Sequence, residues 1–529
     1  MSLVRNTMTI GGLTLVSRIL GFARDTLMAR FVGAGFASDA FLIAWRLPNL
    51  FRALFAEGAF SAAFVPMFSR IMGQEQRQGR DGLPAALRFA DQVLSVLLPF
   101  LIIFTALMML AAGPIVWAMT GGFPEGGTGD GGGKLALAVE YTRITFPYLM
   151  LISLVSLLGG ILNSVDRFWV NAAAPILLNI CMIAGLLFFR GHSDVDTART
   201  QAIAVTVSGA MQLGWLIWAC RRAGVSLRLR APRLSPDVKQ LLKLIWPAAL
   251  GAGAVQFNLL ISTTLAARFL PQGSVSYLYY ADRLNQLPLG MIGIGVGTAI
   301  LPVLSRHIGS GDAAAANDTQ NRAIELVLLL TLPAFAGLMF SSLPLIQGTL
   351  QYGVFTYSDA VASAAALTAF ASGLPAYILI KVLVPGFYAR ADTRTPVRIA
   401  LAAMAVNLVL NLVLVWPLAH VGLALSTSVA AWVNVGLLWW TLRRRGDLVL
   451  DARLRGRALR LIAATAVMAA SLFLLNPAVA PLMRGHVLHR VLGLVALIGP
   501  AAAIYFGAAF LLGAFRVGEL KALVRRRRA

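Results

Sequence analysis

Charge is scarce in this chain, and acid is scarcer than base. Only 13% of its 529 residues are Asp, Glu, Lys or Arg, against about 25% in an ordinary soluble domain. With 58% hydrophobic residues and a mean hydropathy of +0.77, this excludes a soluble globular protein and leaves an integral membrane protein with many spans. Cysteine is nearly absent: Cys181 and Cys220 lie in or at the end of apolar runs, outside any motif, and read as small buried apolar residues. The five His are scattered and neither HExxH nor CxxC occurs, so no metal ligand set can be assigned and no cofactor is expected. The glycine-rich stretch 121–133 lacks the GK[ST] ending of a phosphate-binding loop and reads as a flexible external linker. Arg18 and Arg24 interrupt the N-terminal apolar run, which therefore does not read as a cleaved signal peptide.

What the chain does have is apolar runs. About fourteen stretches, from 8–32 to 488–514, are long enough to span a bilayer, each needing about 20 mostly apolar residues. The net charge of +23 could suggest nucleic acid, but its Lys and Arg gather in short connections: Arg70 to Arg88, Arg221 to Lys239, Arg390 to Arg398, Arg443 to Arg460 and Arg525 to Arg528. Fourteen spans put all of these on one side with both termini, which the positive-inside rule makes cytoplasmic. No nucleic-acid partner is expected. The final Arg run reads as a topology anchor on the anionic cytoplasmic leaflet.

The chain also repeats itself. LMARF at 27–31 returns as LAARF at 265–269, Arg46-Leu47 as Arg283-Leu284, and FVPMFSR at 64–70 as ILPVLSR at 300–306, with a spacing that stays at 236–238. Pro147, Asp166 and Asn179 match Pro375, Asp392 and Asn407 at a spacing of 226–228. A unit of about six spans preserves orientation, the parallel-repeat arrangement of some transporters. The expected organisation is all-α: a six-helix bundle over 1–225, a second over 226–447, and two extra transmembrane helices with a basic tail over 448–529. The two bundles are expected to surround a central cavity.

Against this apolar background the charges within spans stand out. Each costs on the order of 2.5–3.5 kcal/mol at the bilayer centre on insertion scales, and is tolerated where it faces a partner or a wet cavity. The segment SRILGFARD places Arg18, Arg24 and Asp25 on the first span. Seven residues return an α-helix to nearly the same face, so Arg18 and Asp25 share one and Arg24 borders it. The second span adds Asp39, Arg46, Arg52 and Glu57, with Pro48 expected to kink it. The second half adds Asp282, Arg283 and Lys381. Guanidinium forks bind phosphate oxygens in pairs and stay charged. Arg18, Arg24, Arg52 and Arg283, with Asp25, are therefore expected to bind an anionic diphosphate head group. Asp39, Arg46, Glu57, Asp282 and Lys381 rank below them as cavity residues. The competing reading is that these are structural ion pairs, such as Arg24 with Asp25 or Glu57. Arg30 and Arg268, near span ends, are expected to snorkel to the interface. The glycines at 290, 293, 295 and 297 read either as close helix packing or as a flexing helix.

SRILGFARD, DAFLIAWRLPNLFRALFAEGAFSAAFVP at 39–66, YYADRL at 279–284 and KVLVPGFYAR at 381–390 closely resemble the MurJ (MviN) family of lipid II flippases, over essentially the whole chain. The resemblance implies the multidrug/oligosaccharidyl-lipid/polysaccharide exporter fold, with two six-helix bundles around a V-shaped cavity and two further helices bordering a groove for the lipid tail. It maps the family's cavity arginines onto Arg18, Arg24, Arg52 and Arg283, and its acids onto Asp25, Asp39 and Glu57. It implies that lipid II is moved from the inner to the outer leaflet of the bacterial cytoplasmic membrane by alternating access, for peptidoglycan synthesis. The expected partners are lipid II and membrane lipids, with a functional monomer and contact with cell-wall synthesis proteins. Coupling is expected to the membrane potential or a monovalent cation, for which Asn258, Asn407 and Asn411 are polar candidates. The alternatives are a flippase for another undecaprenyl-diphosphate-linked glycan such as O-antigen, a drug antiporter, which would favour acids in the cavity, and an enzyme acting on lipid diphosphates, for which no nucleophile or metal-binding cluster is present.

Overall fold

A backbone can cross hydrocarbon only if its polar groups bond one another, which favours helices. The computed structural model describes residues 3–52, 59–123 and 131–515, and among them there is no strand. Glu57 and Arg525 to Arg528 lie outside the described residues. The helices run α1 (Leu3–Phe31), α2 (Phe36–Arg52), α3 (Ala59–Arg77), α4 (Leu83–Leu110), α5 (Ala112–Thr120), α6 (Gly131–Thr145), α7 (Pro147–Ser164), α8 (Phe168–Phe188), α9 (Asp194–Arg222) and α10 (Pro236–Phe269). They continue with α11 (Ser274–Pro288), α12 (Ile294–Gly309), α13 (Ala313–Phe340), α14 (Ser342–Leu350), α15 (Tyr357–Ala371), α16 (Leu374–Tyr388), α17 (Arg394–Arg444), α18 (Ala452–Met483) and α19 (Val487–Leu511).

Ten helical stretches among the described residues are long and apolar enough to cross a membrane, fewer than the fourteen expected. Part of the difference is physical. At 51 residues α17 counts once, yet as one rod it would be about 76 Å long, more than twice the hydrocarbon thickness. Ala419 breaks it, with φ 48° and ψ −132°, two residues after Pro417, between the apolar runs 396–417 and 421–443 that read as separate spans. Helices α1, α2, α3 and α10 fall outside the ten. Of these, α1 and α2 carry the charges singled out above, and α2 has only 17 residues.

Contacts divide the chain into two compact units, 1–276 with 353–355, and 277–352 with 356–529. In the first unit α1 packs on α8, α2 on α6, and α7 on α9. Helix α10 belongs here as well, on α3, α5, α2 and α4, although the repeat makes it the counterpart of α1. In the second unit α16 packs on α17, and α18 with α19 packs on α13. That last contact is apolar through Leu332, Ala336, Leu461, Met468 and Tyr505. At one end it is ionic: Glu325 of α13, 8% exposed, takes Arg322 and Arg457, with Arg453 at 3.4 Å.

Local features echo the repeat. Pro66 sits inside α3 and Pro302 inside α12. Helix α7 starts on Pro147, and α16 carries Pro375 at its second position. The turns that end them place Asp166 at φ 60° and Ala391 at φ 59°. After Pro288 the chain makes a π turn over Leu289–Gly293 before α12 resumes. Within the glycine run, Gly293 and Gly297 lie against Lys381 of α16, with Cβ-position distances of 3.7 and 3.4 Å, in line with close helix packing.

Gly373 leads into α16, and a Cβ there would meet the Ser428 Cα at 2.7 Å, whereas one on Gly436 would meet nothing within 4 Å. Gly373→Ala should therefore destabilise the chain by about 1–3 kcal/mol through overpacking, while Gly436→Ala should be neutral or slightly stabilising. Thermal unfolding of the two variants in detergent checks this; equal midpoints would contradict the α16–α17 contact.

Candidate functional site

The first helix solves the problem of its own charges locally. Arg24 and Asp25 are 7% and 3% exposed. The Arg24 guanidinium donates from Nε and Nη2 to Asp25 Oδ1 at 3.0 and 2.7 Å, and from Nη1 to Asn179 Oδ1 on α8 at 3.1 Å. Asn179 in turn donates to the Ser17 carbonyl at 2.9 Å and to the Pro175 carbonyl at 3.3 Å. Gly21 lies alongside, its Cβ position 3.6 Å from the Asn179 carboxamide, in ordinary van der Waals contact. Arg24, Asp25 and Asn179 thus form one polar patch in the α1–α8 contact, the ion pair of the competing reading. Arg18, nearly two turns earlier, is half-buried and has no hydrogen-bond or ion-pair partner among the described residues.

Helix α2 divides its charges differently. Asp39, 2% exposed, faces no open space. Its Oδ2 accepts from Lys134 Nζ of α6 at 3.0 Å and from the Gly273 N–H at 2.7 Å. Its Oδ1 accepts from the Ser276 N–H at 3.0 Å and the Ser276 hydroxyl at 2.6 Å. A carboxylate on the first N–H groups of α11 is favoured by the helix dipole. Asp39 is therefore an anchor joining α2, α6 and the start of α11. Arg46 donates to the Leu259 carbonyl of α10 at 3.0 Å, and Arg52 to Asn49 Oδ1 at 3.0 Å. Both are half-buried, and α2 remains continuous through Pro48.

In the second unit Asp282 accepts from Gln286, and the Arg283 guanidinium lies 4.7 Å from the centre of the Tyr279 ring, a cation–π contact. Lys381 is exposed, with no ion-pair partner among the described residues. Arg30 and Arg268 are exposed beside Phe31 and Phe269, as snorkelling requires.

Asn179 and Lys134 are the residues that sequence reasoning passed over. Asn179 had registered only as a position in the repeat. Lys134 ends the glycine-rich stretch at 131–134 and is the cation of an expected external connection otherwise short of them; that isolation was the available signal. It is 7% exposed, and beyond Asp39 it meets the Phe123 ring at 4.7 Å.

A family model described as lipid II flippase MurJ matches residues 28–492. A Rhizobium tropici protein described as "Probable lipid II flippase MurJ" is 43% identical, over 100% of this chain and 98% of the relative. The Burkholderia cenocepacia "Lipid II flippase MurJ" is 36% identical, over 97% and 98%. Among solved structures, a lipid II flippase MurJ in an inward closed conformation superposes with a TM-score of 0.76 at 22% identity, covering 95% of this chain and 98% of that one. An inward-facing multidrug-resistance MATE transporter of the MOP superfamily follows at 0.66 and 16%, covering 83% and 98%. At these identities the structures establish the exporter fold expected above.

The Asp39 anchor yields a double-variant test. Asp39→Asn leaves the buried Lys134 ammonium without its anion, and breaking a buried pair on one side costs about 3–5 kcal/mol. The thermal midpoint should fall clearly, and Lys134→Met in the same chain should recover part of the loss. No recovery would mean that the pair is not energetically coupled.

Proposed function

The chain belongs to the lipid II flippase MurJ family, and from that premise we propose that it carries lipid II from the inner to the outer leaflet of the bacterial cytoplasmic membrane, as a transporter rather than an enzyme. The observation that carries this reading is Arg18. It is a half-buried cation on α1, the helix expected as the first span, without a protein partner among the described residues, nearly two turns from the Arg24–Asp25 pair. A cation left in that position favours an anionic ligand, and a diphosphate offers oxygens for more than one guanidinium.

In this reading Arg18 receives the diphosphate first. Arg24 then exchanges its Asn179 bond for a phosphate oxygen while Asp25 holds the guanidinium in place, and Arg52 contributes from α2. We assign the same ligand-contacting role to Arg283 in the second unit. The undecaprenyl tail stays in lipid, and alternating access exposes the head group to one face and then the other. An inside-negative potential favours outward movement of the anion by about 2.3 kcal/mol per charge per 100 mV. We take that potential, or a monovalent cation, as the energy source. Fourteen spans with both termini cytoplasmic complete the proposal, supported by the Lys/Arg bias and by the break in α17. A carrier of O-antigen or another undecaprenyl-diphosphate glycan would use the same cations, but the family match names lipid II.

The test is lipid II exposure on the outer face of cells depleted of their own flippase. The wild-type chain should restore exposure. Arg18→Gln should lower it at least about tenfold, the value of one charge-assisted hydrogen bond, with abundance unchanged because no internal bond is lost. Wild-type exposure by Arg18→Gln would remove Arg18 from the diphosphate contact. No exposure by the folded wild-type chain would point to a different glycolipid.

A further inference from the structure

The first unit holds a second feature, apart from the charged residues of α1 and α2. Near the C-terminal end of α9 a cavity of about 350 Å³ opens between α4, α7 and α9, lined by Leu94, Leu154, Leu158, Ile217, Cys220 and Arg221. Its walls are fixed. Past Gly224, at φ 73°, residues 225–230 run back along α4. The Arg228 N–H bonds Asp91 Oδ1 at 2.8 Å, the Arg230 N–H bonds Ser95 Oγ at 2.8 Å, and the Arg230 side chain pairs with Asp91 at 3.3 Å. A wall pinned by polar bonds cannot collapse onto the leucines, so the space persists.

The level of this cavity in the membrane can be read from its neighbours. On the same stretch of α9, the Trp215 ring meets Trp169 of α8 edge-on at 5.8 Å and stacks on Trp218 at 5.1 Å, and Arg222 lies over Trp218 at 5.0 Å. Tryptophans over cations mark the head-group region. Arg221, at the cavity mouth, is exposed and has no hydrogen-bond or ion-pair partner among the described residues. The lining is mostly leucine and isoleucine, with Arg221 and Ser226 as polar members, and at the head-group level the available molecule that joins an apolar part to a charged one is a lipid. The free cation at the mouth selects the sign of the head group. We propose that this cavity binds one acyl chain of an anionic glycerophospholipid, whose phosphate pairs with Arg221.

The full-length chain in mild detergent, titrated with phosphatidylglycerol or with phosphatidylcholine of the same chains and followed by native mass spectrometry, tests this. The wild type should prefer phosphatidylglycerol about fivefold, the effect of one interfacial cation. Arg221→Gln should bind both lipids equally, and Leu158→Trp, whose ring fills the cavity, should retain neither. A second readout covers a misfolded Trp variant. With Cys181→Ser, Cys220 is the sole cysteine, and phosphatidylglycerol should slow its alkylation by N-ethylmaleimide more than phosphatidylcholine does. An unchanged preference in Arg221→Gln, or Cys220 alkylation indifferent to lipid, would overturn the proposal.

Discussion

The contact of Arg24 with Asp25 and Asn179 is what allows α1 to carry buried charge into its packing with α8. A lone guanidinium at bilayer depth is expensive. Here the adjacent carboxylate neutralises it, and a carboxamide from α8, itself tied to the Ser17 carbonyl, fixes its direction. The network lies within the α1–α8 packing of the first unit, with Gly21 in van der Waals contact with Asn179. The same network leaves Arg18 outside it. Within one short motif, then, one arginine is committed to internal bonds and the other is not.

The fold was legible because its main instruction is repetitive: apolar runs of bilayer length, separated by basic connections and broken by proline or glycine. The gap between two spans near residue 419 follows from that pattern, whereas the π turn after Pro288 lies inside what reads as one continuous span, 275–305. The site was legible only in part. Residue type and helical spacing identify Arg18, Arg24 and Asp25 as one group, since their geometry is set within seven residues. Asp39 could not be understood that way. Its partners lie 95, 234 and 237 residues away, and two of the groups that bind it are backbone N–H groups, which leave no trace in residue identity. The cluster of Glu325 with Arg322 and Arg457 escaped for the same reason, its acid and one of its bases being 132 residues apart. Partners distant in sequence are set by packing, and packing is what a single sequence specifies least directly.

The repeat and the contacts also carry different information. Repetition makes α10 the counterpart of α1, yet α10 packs with α3, α5, α2 and α4 in the first unit. Similar helices therefore have dissimilar surroundings, and their side chains have followed. At the repeat spacing of 238, the positions of Arg18, Arg24 and Asp25 are held in α10 by Gln256, Ser262 and Thr263. Ser262 and Thr263 bond carbonyls of their own helix, at Asn258 and Leu259.

Asn179 and Asn407 show the same divergence at a matched position. Both are buried, at 6% and 1% exposure. Asn179 orients an arginine, whereas Asn407 accepts from Asn411 at 2.9 Å and lies 3.5 Å from Thr427. One copy of the repeat has kept a cation where the other has only neutral polar groups. A ligand recognised equally by both copies would have preserved the symmetry of their charges. In the reading proposed above, an anionic head group contacted chiefly through α1 and α2 would not, which is in keeping with the asymmetry of charge at these positions.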